Sequence, residues 1–226
     1  MFKLQNNPIL YPHQIKLLLL FFASPFGKSF FFTGGTALSA FYLAHRESQD
    51  LDFFNLQPFD NFVLRTTMQE IADKTQSTMT MHIRSQTYNE IFLENKKEGW
   101  MQKIDIVQEQ PKHFGEIKNI DNIPVDSLVN ITTNKILAVF GRLEPKDYID
   151  LFVIFTQKDL KFSEMFALAK QKDTGLSEFY FANAIADVDK FETLPKMKTP
   201  FDKGAFVKFY KDLSRKLLLK IKPKSS

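Results

Sequence analysis

The 226-residue chain contains no cysteine, a single tryptophan and no long uninterrupted hydrophobic run. Without cysteine, neither a disulfide framework nor a thiolate metal site is possible. The longest apolar run near the start, residues 17–23, is too short to span a bilayer, and Pro25 and Gly27 end it without a small-residue cleavage pattern. We therefore expect a cytoplasmic protein with no targeting segment and no membrane partner.

Hydrophobic residues make up 44% of the chain, enough for a buried core, and phenylalanine dominates the aromatics with 25 residues. We interpret the phenylalanines as core filling rather than as a binding device. No linker is long enough to require two independent domains. The residue pattern nevertheless changes near residue 124, from short β-branched and aromatic runs to helical spacing. This change predicts a β-rich part over residues 1–123 and a helical part over residues 124–226.

Positive charge is concentrated at the C-terminal end. The net charge is +4, but from residue 196 onward ten Lys and Arg face two Asp, a balance of +8, which leaves −4 for the residues before. The sequence thus carries a basic tail on a mildly acidic body.

A strand, a glycine turn and a helix are predicted between residues 30 and 45. The aromatic run 30–32 is typical of a strand and stops at Gly34-Gly35-Thr36, after which apolar side chains recur at helical spacing. The turn therefore begins a helix, where unpaired backbone N–H groups and the positive end of the dipole favour phosphate oxygens. Gly34 and Gly35 allow close approach of a ligand, and Thr36 adds a hydroxyl donor.

Two aspartates follow on the next predicted strand, Asp50-Leu51-Asp52-Phe53-Phe54. A strand's period of two places both carboxylates on one face. Two carboxylates at this spacing can share Mg²⁺. Arg46 and Ser48, in the preceding loop, are candidate nucleotide contacts. The arginine can instead pair with a carboxylate, and the serine can cap the turn.

Joined by one helix, the glycine turn and the Asp-x-Asp strand resemble the signature of the nucleotidyltransferase superfamily. Residues 34–38, Gly-Gly-Thr-Ala-Leu, and 45–54, His-Arg-Glu-Ser-Gln-Asp-Leu-Asp-Phe-Phe, are similar to the AbiEii/AbiGii-type toxins of bacterial toxin–antitoxin and abortive-infection systems. The resemblance implies an α+β fold: a mixed β-sheet core flanked by helices, then a helical C-terminal part. It also implies that the glycine turn binds the triphosphate and that Asp50 and Asp52 hold Mg²⁺ or Mn²⁺.

A third carboxylate is predicted on a neighbouring strand. Short β-branched and aromatic runs predict antiparallel strands over residues 78–84, 86–93 and 100–107, and Asp105 lies between two isoleucines on the last of them. From the residues alone, Asp105 is an exposed strand position. The resemblance implies a third metal ligand on a neighbouring strand, and Asp105 is the only strand-borne candidate.

The helical region contains a lysine and two aspartates that resemble the same family. Lys135 lies on a helix ending near Arg142, and the next helix, begun by Pro145, carries Asp147 and Asp150. The resemblance implies that these two helices pack over the nucleotide site. Lys135 would then contact the triphosphate, and Asp147 would orient Lys135 or serve the acceptor, while Asp150 is interpreted as structural. The alternative is a set of surface ion pairs.

The predicted activity is metal-dependent transfer of NMP from NTP to an acceptor, with release of pyrophosphate. The resemblance implies an RNA acceptor, with tRNA 3′ ends a known kind, and a cognate antitoxin protein or its promoter-binding system as a partner. Two alternatives remain: a catalytically weak binding partner on the same scaffold, and a kinase-like enzyme that transfers the γ-phosphoryl group.

The basic tail is predicted to form an amphipathic helix over residues 204–222 that binds RNA through one row of cations. Its cationic side consists of Lys208, Lys211, Arg215 and Lys222. The alternatives are a solvated charged face and a helix lying on a membrane surface.

Overall fold

The computed structural model describes residues 2–109 and 112–221, and the chain forms two compact units, residues 1–128 and 129–226. The described residues form eight α-helices: α1 Pro12–Ala23, α2 Gly34–Ala37, α3 Asn61–Lys74, α4 Leu128–Gly141, α5 Pro145–Gln157, α6 Phe162–Lys172, α7 Glu178–Ala184 and α8 Lys203–Lys220. They also form seven strands: β1 Phe31–Thr33, β2 Leu51–Asn55, β3 Thr78–Ile83, β4 Tyr88–Asn95, β5 Trp100–Gln108, β6 Lys118–Ile120 and β7 Ile123–Val125. Across the two described ranges, no helix is both long and apolar enough to cross a membrane.

The strands of the first unit form one mixed sheet in the order β3-β4-β5-β2-β1-β7-β6. At its centre β2 runs parallel to β5 and antiparallel to β1, while β1 runs parallel to β7. The hairpins β3-β4 and β4-β5 are antiparallel, as the runs between residues 78 and 107 predict. The predicted α+β fold with a mixed sheet is confirmed.

One face of this sheet carries the core of the first unit. Alternate residues of β2 and β5, among them Leu51, Phe53 and Ile104, are fully buried. The Phe53 ring stacks on Phe21 of α1 with ring centroids 4.2 Å apart. Because side chains alternate across a strand, the residues between these buried positions lie on the opposite face. Those residues include the predicted carboxylates.

Several predicted elements begin or end elsewhere. Strand β2 begins at Leu51, so Asp50 immediately precedes it. The helix after the glycine turn continues as a π-helical segment, Leu38–Leu43, and ends because Ala44 is left-handed with φ 51°. The residue pattern predicts one helix that begins at Thr132 or Thr133 and another over residues 177–191. Instead, α4 begins at Leu128, and the segment 177–191 is α7 followed by a 3₁₀ turn.

The hairpin β6-β7 was not predicted. Its turn residues Asp121 and Asn122 have positive φ values of 51° and 68°. Two residues with positive φ are typical of a type I′ hairpin turn, and asparagine and aspartate tolerate this conformation better than most residues. The strands are only three residues long, too short for a visible alternation.

The described part of the second unit is helical, from α4 to α8. A buried aromatic cluster holds α5 and α8 together: Tyr148 and Tyr210 are fully buried, and the Tyr210 hydroxyl donates to the Tyr148 carbonyl oxygen at 2.6 Å. Phe206 of α8 packs edge-on against Phe152 of α5. The apolar stripe predicted for the tail helix thus packs inside this unit, although Ile221 at its end is 45% exposed.

Candidate nucleotide and metal site

The glycine turn is built around a close approach of Asp52 to Gly34. Gly34 is the first residue of α2 and has a φ of +73°, a left-handed conformation that favours glycine. A Cβ atom at this position would lie 1.9 Å from Oδ2 of Asp52. The Asp52 carboxylate therefore lies directly against the Gly34 backbone, and no larger residue fits there without displacing it.

A buried hydrogen-bond cluster anchors the end of β1 just before this turn. The Thr33 hydroxyl donates to Oδ2 of Asp126 at 2.6 Å, and Oδ1 of Asp126 is 2.8 Å from Nε2 of His113. The Tyr42 hydroxyl donates to the Asp126 carbonyl oxygen at 2.5 Å. These contacts hold both ends of the segment 33–42, so the glycine turn starts from a fixed position.

Thr36 connects the helix to the loop that precedes β2. Its hydroxyl is fully buried, donates to the Asp50 carbonyl oxygen at 2.5 Å and lies 2.9 Å from the Ser48 hydroxyl oxygen. Arg46, also buried, donates from Nη1 to the Glu47 carbonyl oxygen at 2.9 Å. In this arrangement all three side chains stabilise the loop that presents Asp50. A role for them in nucleotide binding stays a prediction.

Three carboxylates lie side by side on the open face of the sheet. Asp105 of β5 is directly opposite Asp52 of β2 on one side and Glu90 of β4 on the other. Neighbouring strands are about 4.8 Å apart, so adjacent members of this row are close neighbours. Asp50, two residues before Asp52, is likewise half-buried. The sequence therefore places Asp52 and Asp105 correctly on neighbouring strands, but it did not identify Glu90.

Two further residues that the sequence did not identify hold Asp105. The ammonium of Lys103 is 2.8 Å from Oδ2 of Asp105 and 3.5 Å from Oε1 of Glu90. The Tyr88 hydroxyl donates to Oδ1 of Asp105 at 3.1 Å. Glu90 also forms an ion pair with Arg84. Lys103 is two residues before Asp105 and so shares its face, which is a sequence signal. The pairing with β4 cannot be derived from composition.

The charges of this row change the pKa values of their neighbours. Burial disfavours the charged form of Lys103, but the hydrogen bond and charge of Asp105, with Asp50 nearby, outweigh it and raise its pKa. Burial and the charge of Asp105 raise the pKa of the Tyr88 hydroxyl. Both groups therefore keep their protons at neutral pH and remain hydrogen-bond donors to Asp105.

The donor set of the row suits a hard divalent cation. Mg²⁺ prefers a few carboxylates together with water and phosphate oxygens. Asp52 and Asp105 offer carboxylates from two paired strands, and Asp50 offers one from the residue just before β2. Over residues 2–109 and 112–221, no three His, Cys, Asp or Glu side chains converge closely enough to hold an ion. The backbone positions fit a metal, whereas the Asp105 side chain is engaged by Lys103.

In the second unit, Lys135 lies between two buried aspartates. Its Nζ is 2.7 Å from Oδ1 of Asp147 and 2.6 Å from Oδ2 of Asp150, and both aspartates are fully buried. Arg142 donates from Nε to the other Asp147 oxygen at 2.8 Å. Burial disfavours the charged Asp147, but Lys135 and Arg142 outweigh it and hold its pKa below the usual range. The alternative of surface ion pairs is therefore wrong for Lys135, Asp147 and Asp150, whereas the Arg142 side chain is exposed.

The cationic side of α8 is exposed but partly neutralised. Lys208 pairs with Asp212 at 2.5 Å, and Lys211 pairs with Asp189 at 2.9 Å. Arg215 is exposed on the same side. Lys222, the fourth predicted cation, lies outside the described residues.

The chain was compared with known proteins. No curated protein sequence matches it significantly. Among solved structures, JHP933 from Helicobacter pylori matches with a TM-score of 0.57 and 18% identity, covering 91% of this chain and 89% of that one. MenT4, the nucleotidyltransferase toxin Rv2826c from Mycobacterium tuberculosis H37Rv, matches with a TM-score of 0.50 and 12% identity, covering 95% of this chain and 88% of that one. At these identities the two neighbours show a shared fold.

The family itself is shown by the sequence model that matches most of the chain. The model described as nucleotidyl transferase AbiEii toxin, type IV TA system, matches residues 16–217. This range contains the glycine turn, the carboxylate row and the buried Lys135 cluster described above. The chain therefore belongs to the AbiEii family of nucleotidyltransferase toxins of type IV toxin–antitoxin systems.

Proposed function

We propose that this protein transfers NMP from an NTP to RNA, with tRNA as the expected acceptor, and releases pyrophosphate. One observation carries the proposal: the Asp52 carboxylate lies against the backbone of Gly34 and directly opposite Asp105. The proposed phosphate-binding turn and two potential metal ligands are thus neighbours in the sheet. Nucleotidyl transfer needs this combination, because charge develops on both the attacking and the leaving oxygen.

Each of the candidate site residues in the first unit has a defined role in this proposal. The backbone N–H groups of Gly34 and Gly35, with Thr36, bind the β- and γ-phosphates at the start of α2. Asp50, Asp52 and Asp105 would hold Mg²⁺ or Mn²⁺, which when bound polarises the phosphate oxygens and stabilises the attacking and leaving oxygens. Asp105 accepts the proton of the attacking hydroxyl. Arg46 and Ser48 fix the loop that carries Asp50.

The second unit contributes Lys135 and Asp147. Lys135 would supply a positive charge to the triphosphate, and Asp147 orients it through the 2.7 Å ion pair. Arg142 contacts the other Asp147 oxygen and so keeps that carboxylate in place. The exposed side of α8, with Lys208, Lys211 and Arg215, would bind the phosphates of the RNA acceptor. The cognate antitoxin, or its promoter-binding system, is the expected partner of the family.

Two other activities are compatible with the same scaffold: transfer of the γ-phosphoryl group, as by a kinase, and binding without chemistry. Whole-cell RNA incubated with Mg²⁺ and each NTP, labelled at either the α- or the γ-phosphate, separates the three. The proposal predicts α-label on RNA and release of the γ-label as pyrophosphate. Transfer of the γ-label to an acceptor, with release of NDP, favours the kinase, and no transfer of either label favours the binding partner.

A further inference from the structure

Lys103 lies beside the middle carboxylate of the row, Asp105. Asp105 is flanked by Asp52 on one neighbouring strand and by Glu90 on the other. Like charges directly opposite each other in a sheet are destabilising. The Lys103 ammonium lies 2.8 Å from Asp105 and compensates its negative charge. It is also only 3.5 Å from Glu90.

A divalent cation at Asp105 would compete with this ammonium. Oδ1 of Asp105 accepts a hydrogen bond from Tyr88, and Oδ2 accepts one from Lys103, so both oxygens are engaged. A metal ion and an ammonium on the same oxygen repel each other. Glu90 lies on the far side of Asp105 from Asp52 and offers Lys103 a second carboxylate on the same face.

We propose that Lys103 is a displaceable cation that holds Asp105 in the metal-free protein and moves to Glu90 when a divalent ion binds Asp105. This inference rests on the proposed function, because it takes Asp52 and Asp105 as metal ligands. Lys103 and Glu90 are positioning residues and do not touch the substrate. The affinity of the site for metal is then set by competition: removal of Lys103 strengthens metal binding, and removal of Glu90 weakens it.

The test is Mn²⁺ binding to the full chain without nucleotide. Binding is measured through the decrease in the electron paramagnetic resonance signal of free Mn²⁺. Lys103→Met should bind Mn²⁺ about tenfold more tightly than the parent, because a charge-assisted hydrogen bond to Asp105 no longer competes. Glu90→Gln should bind it a few-fold more weakly. The exposed residues Lys97 and Glu94 provide matched controls, since Lys97→Met and Glu94→Gln change the net charge equally and should leave the affinity unchanged.

A double variant distinguishes the proposed movement of Lys103 from Asp105 to Glu90 from a general effect of charge on Mn²⁺ affinity. If Glu90 acts only as the second partner of Lys103, adding Glu90→Gln to Lys103→Met changes nothing, and the double variant binds Mn²⁺ like Lys103→Met. If the two residues act only as remote charges, their effects add and the double variant returns toward the parent affinity, which overturns the inference. Lys103→Gln replaces Lys103→Met if circular dichroism shows that the latter does not fold.

The outcomes also distinguish this inference from the proposed function. Mn²⁺ binding that Asp52→Asn abolishes but Lys103→Met leaves unchanged would overturn the role of Lys103 and leave the metal site standing. Absence of Mn²⁺ binding in the parent and in Lys103→Met alike would overturn the metal assignment itself, and with it the exchange.

Discussion

The contact between Asp52 and the Gly34 backbone ties the predicted metal strand to the predicted phosphate turn. Gly34 needs to be glycine for two reasons, its left-handed φ of +73° and the 1.9 Å that would separate a Cβ from Asp52. Gly99, in the β4-β5 turn, has the same φ but nothing within 4 Å of a Cβ. Substitutions at Gly34 and Gly99 therefore distinguish the effect of backbone strain, which both would share, from the effect of displacing the Asp52 carboxylate.

We predict that Gly34→Ala lowers the free energy of unfolding and abolishes nucleotide transfer, whereas Gly99→Ala lowers the free energy alone. Each substitution carries the cost of a left-handed alanine, about 1–2 kcal/mol. Only Gly34→Ala also forces Asp52 to move. Urea unfolding and a transfer assay on both variants provide the comparison. Equal stability and equal activity in the two variants would contradict the role given to this contact.

Lys135 is the second residue whose environment defines its expected behaviour. Its ammonium joins Asp147 and Asp150, which are fully buried. Because the folded-state pKa of Asp147 is lower than its unfolded value, the ion pair stabilises the protein above a pH of about 4 and is lost as the pH falls through the folded pKa.

We therefore predict that Lys135→Met lowers the free energy of unfolding by about 3–5 kcal/mol at pH 7, because it removes the cation that two buried carboxylates share. The loss should become smaller as the pH falls through the folded pKa of Asp147. Urea unfolding at several pH values measures both effects. The control is Lys161→Met, which removes an exposed pair with Glu164 and should change little. A loss that is independent of pH would contradict the pairing.

Activity tests the other role of Lys135. In the folded fraction, Lys135→Met should lower nucleotide transfer by a factor of about 10²–10³, typical of losing one electrostatic donor. Full activity in the folded fraction would remove Lys135 from the nucleotide site and leave it a structural residue.

At the scale of helices and strands, the sequence predicts the features that depend on local residue patterns. The residue pattern predicts a helix over residues 162–172, and α6 has these bounds, Phe162–Lys172. Pro145 begins α5 because proline suits the first position of a helix. The alternation of β2 and β5 places Asp52 and Asp105 on one face for the same local reason.

What the sequence does not predict depends on pairing between distant segments. Glu90 and Tyr88 belong to the site only because β4 pairs with β5 in a register that places Glu90 opposite Asp105. Phe62 is another example. The helix predicted from residue 58 to about residue 73 makes it a core candidate together with Met68 and Ile71, but it is 77% exposed. Similarly, the predicted cation row of α8 did not include the neighbours Asp212 and Asp189 as partners of its lysines.

For α8 we predict that replacing Lys208, Lys211 and Arg215 together by glutamine weakens RNA binding and flattens its salt dependence. Removing one cation that neutralises a phosphate reduces the salt slope by a little under one unit. Binding to RNA has to compete with Asp212 and Asp189, so Asp212→Asn alone should strengthen it. Filter binding over a series of salt concentrations measures both. The control replaces Lys158, Lys161 and Lys190, on other elements, by glutamine.

Unchanged RNA affinity and salt slope in the α8 triple variant would reduce this helix to a solvated surface. The affinity of the triple variant for Mg²⁺ and nucleotide should equal that of the parent, since the substitutions are confined to the exposed side of α8.

At the scale of the whole molecule, family membership and fold agree with the chemistry that the carboxylate row permits. The family model spans residues 16–217 and so covers most of both units. The central claim is that Asp50 and Asp52 serve metal-dependent transfer of a nucleotide, and this claim is more specific than either the family or the fold.

The most direct measurement is incorporation of α-labelled NTP into whole-cell RNA by the parent and by Asp52→Asn, with Asp50→Asn alongside. Each substitution removes a proposed metal ligand at almost constant volume, so the fold should persist. The exposed Asp159 provides the control Asp159→Asn, which should keep full activity. We predict that Asp52→Asn and Asp50→Asn lose at least about a thousandfold in transfer while unfolding like the parent. Transfer within about tenfold of the parent by either folded variant would contradict the account.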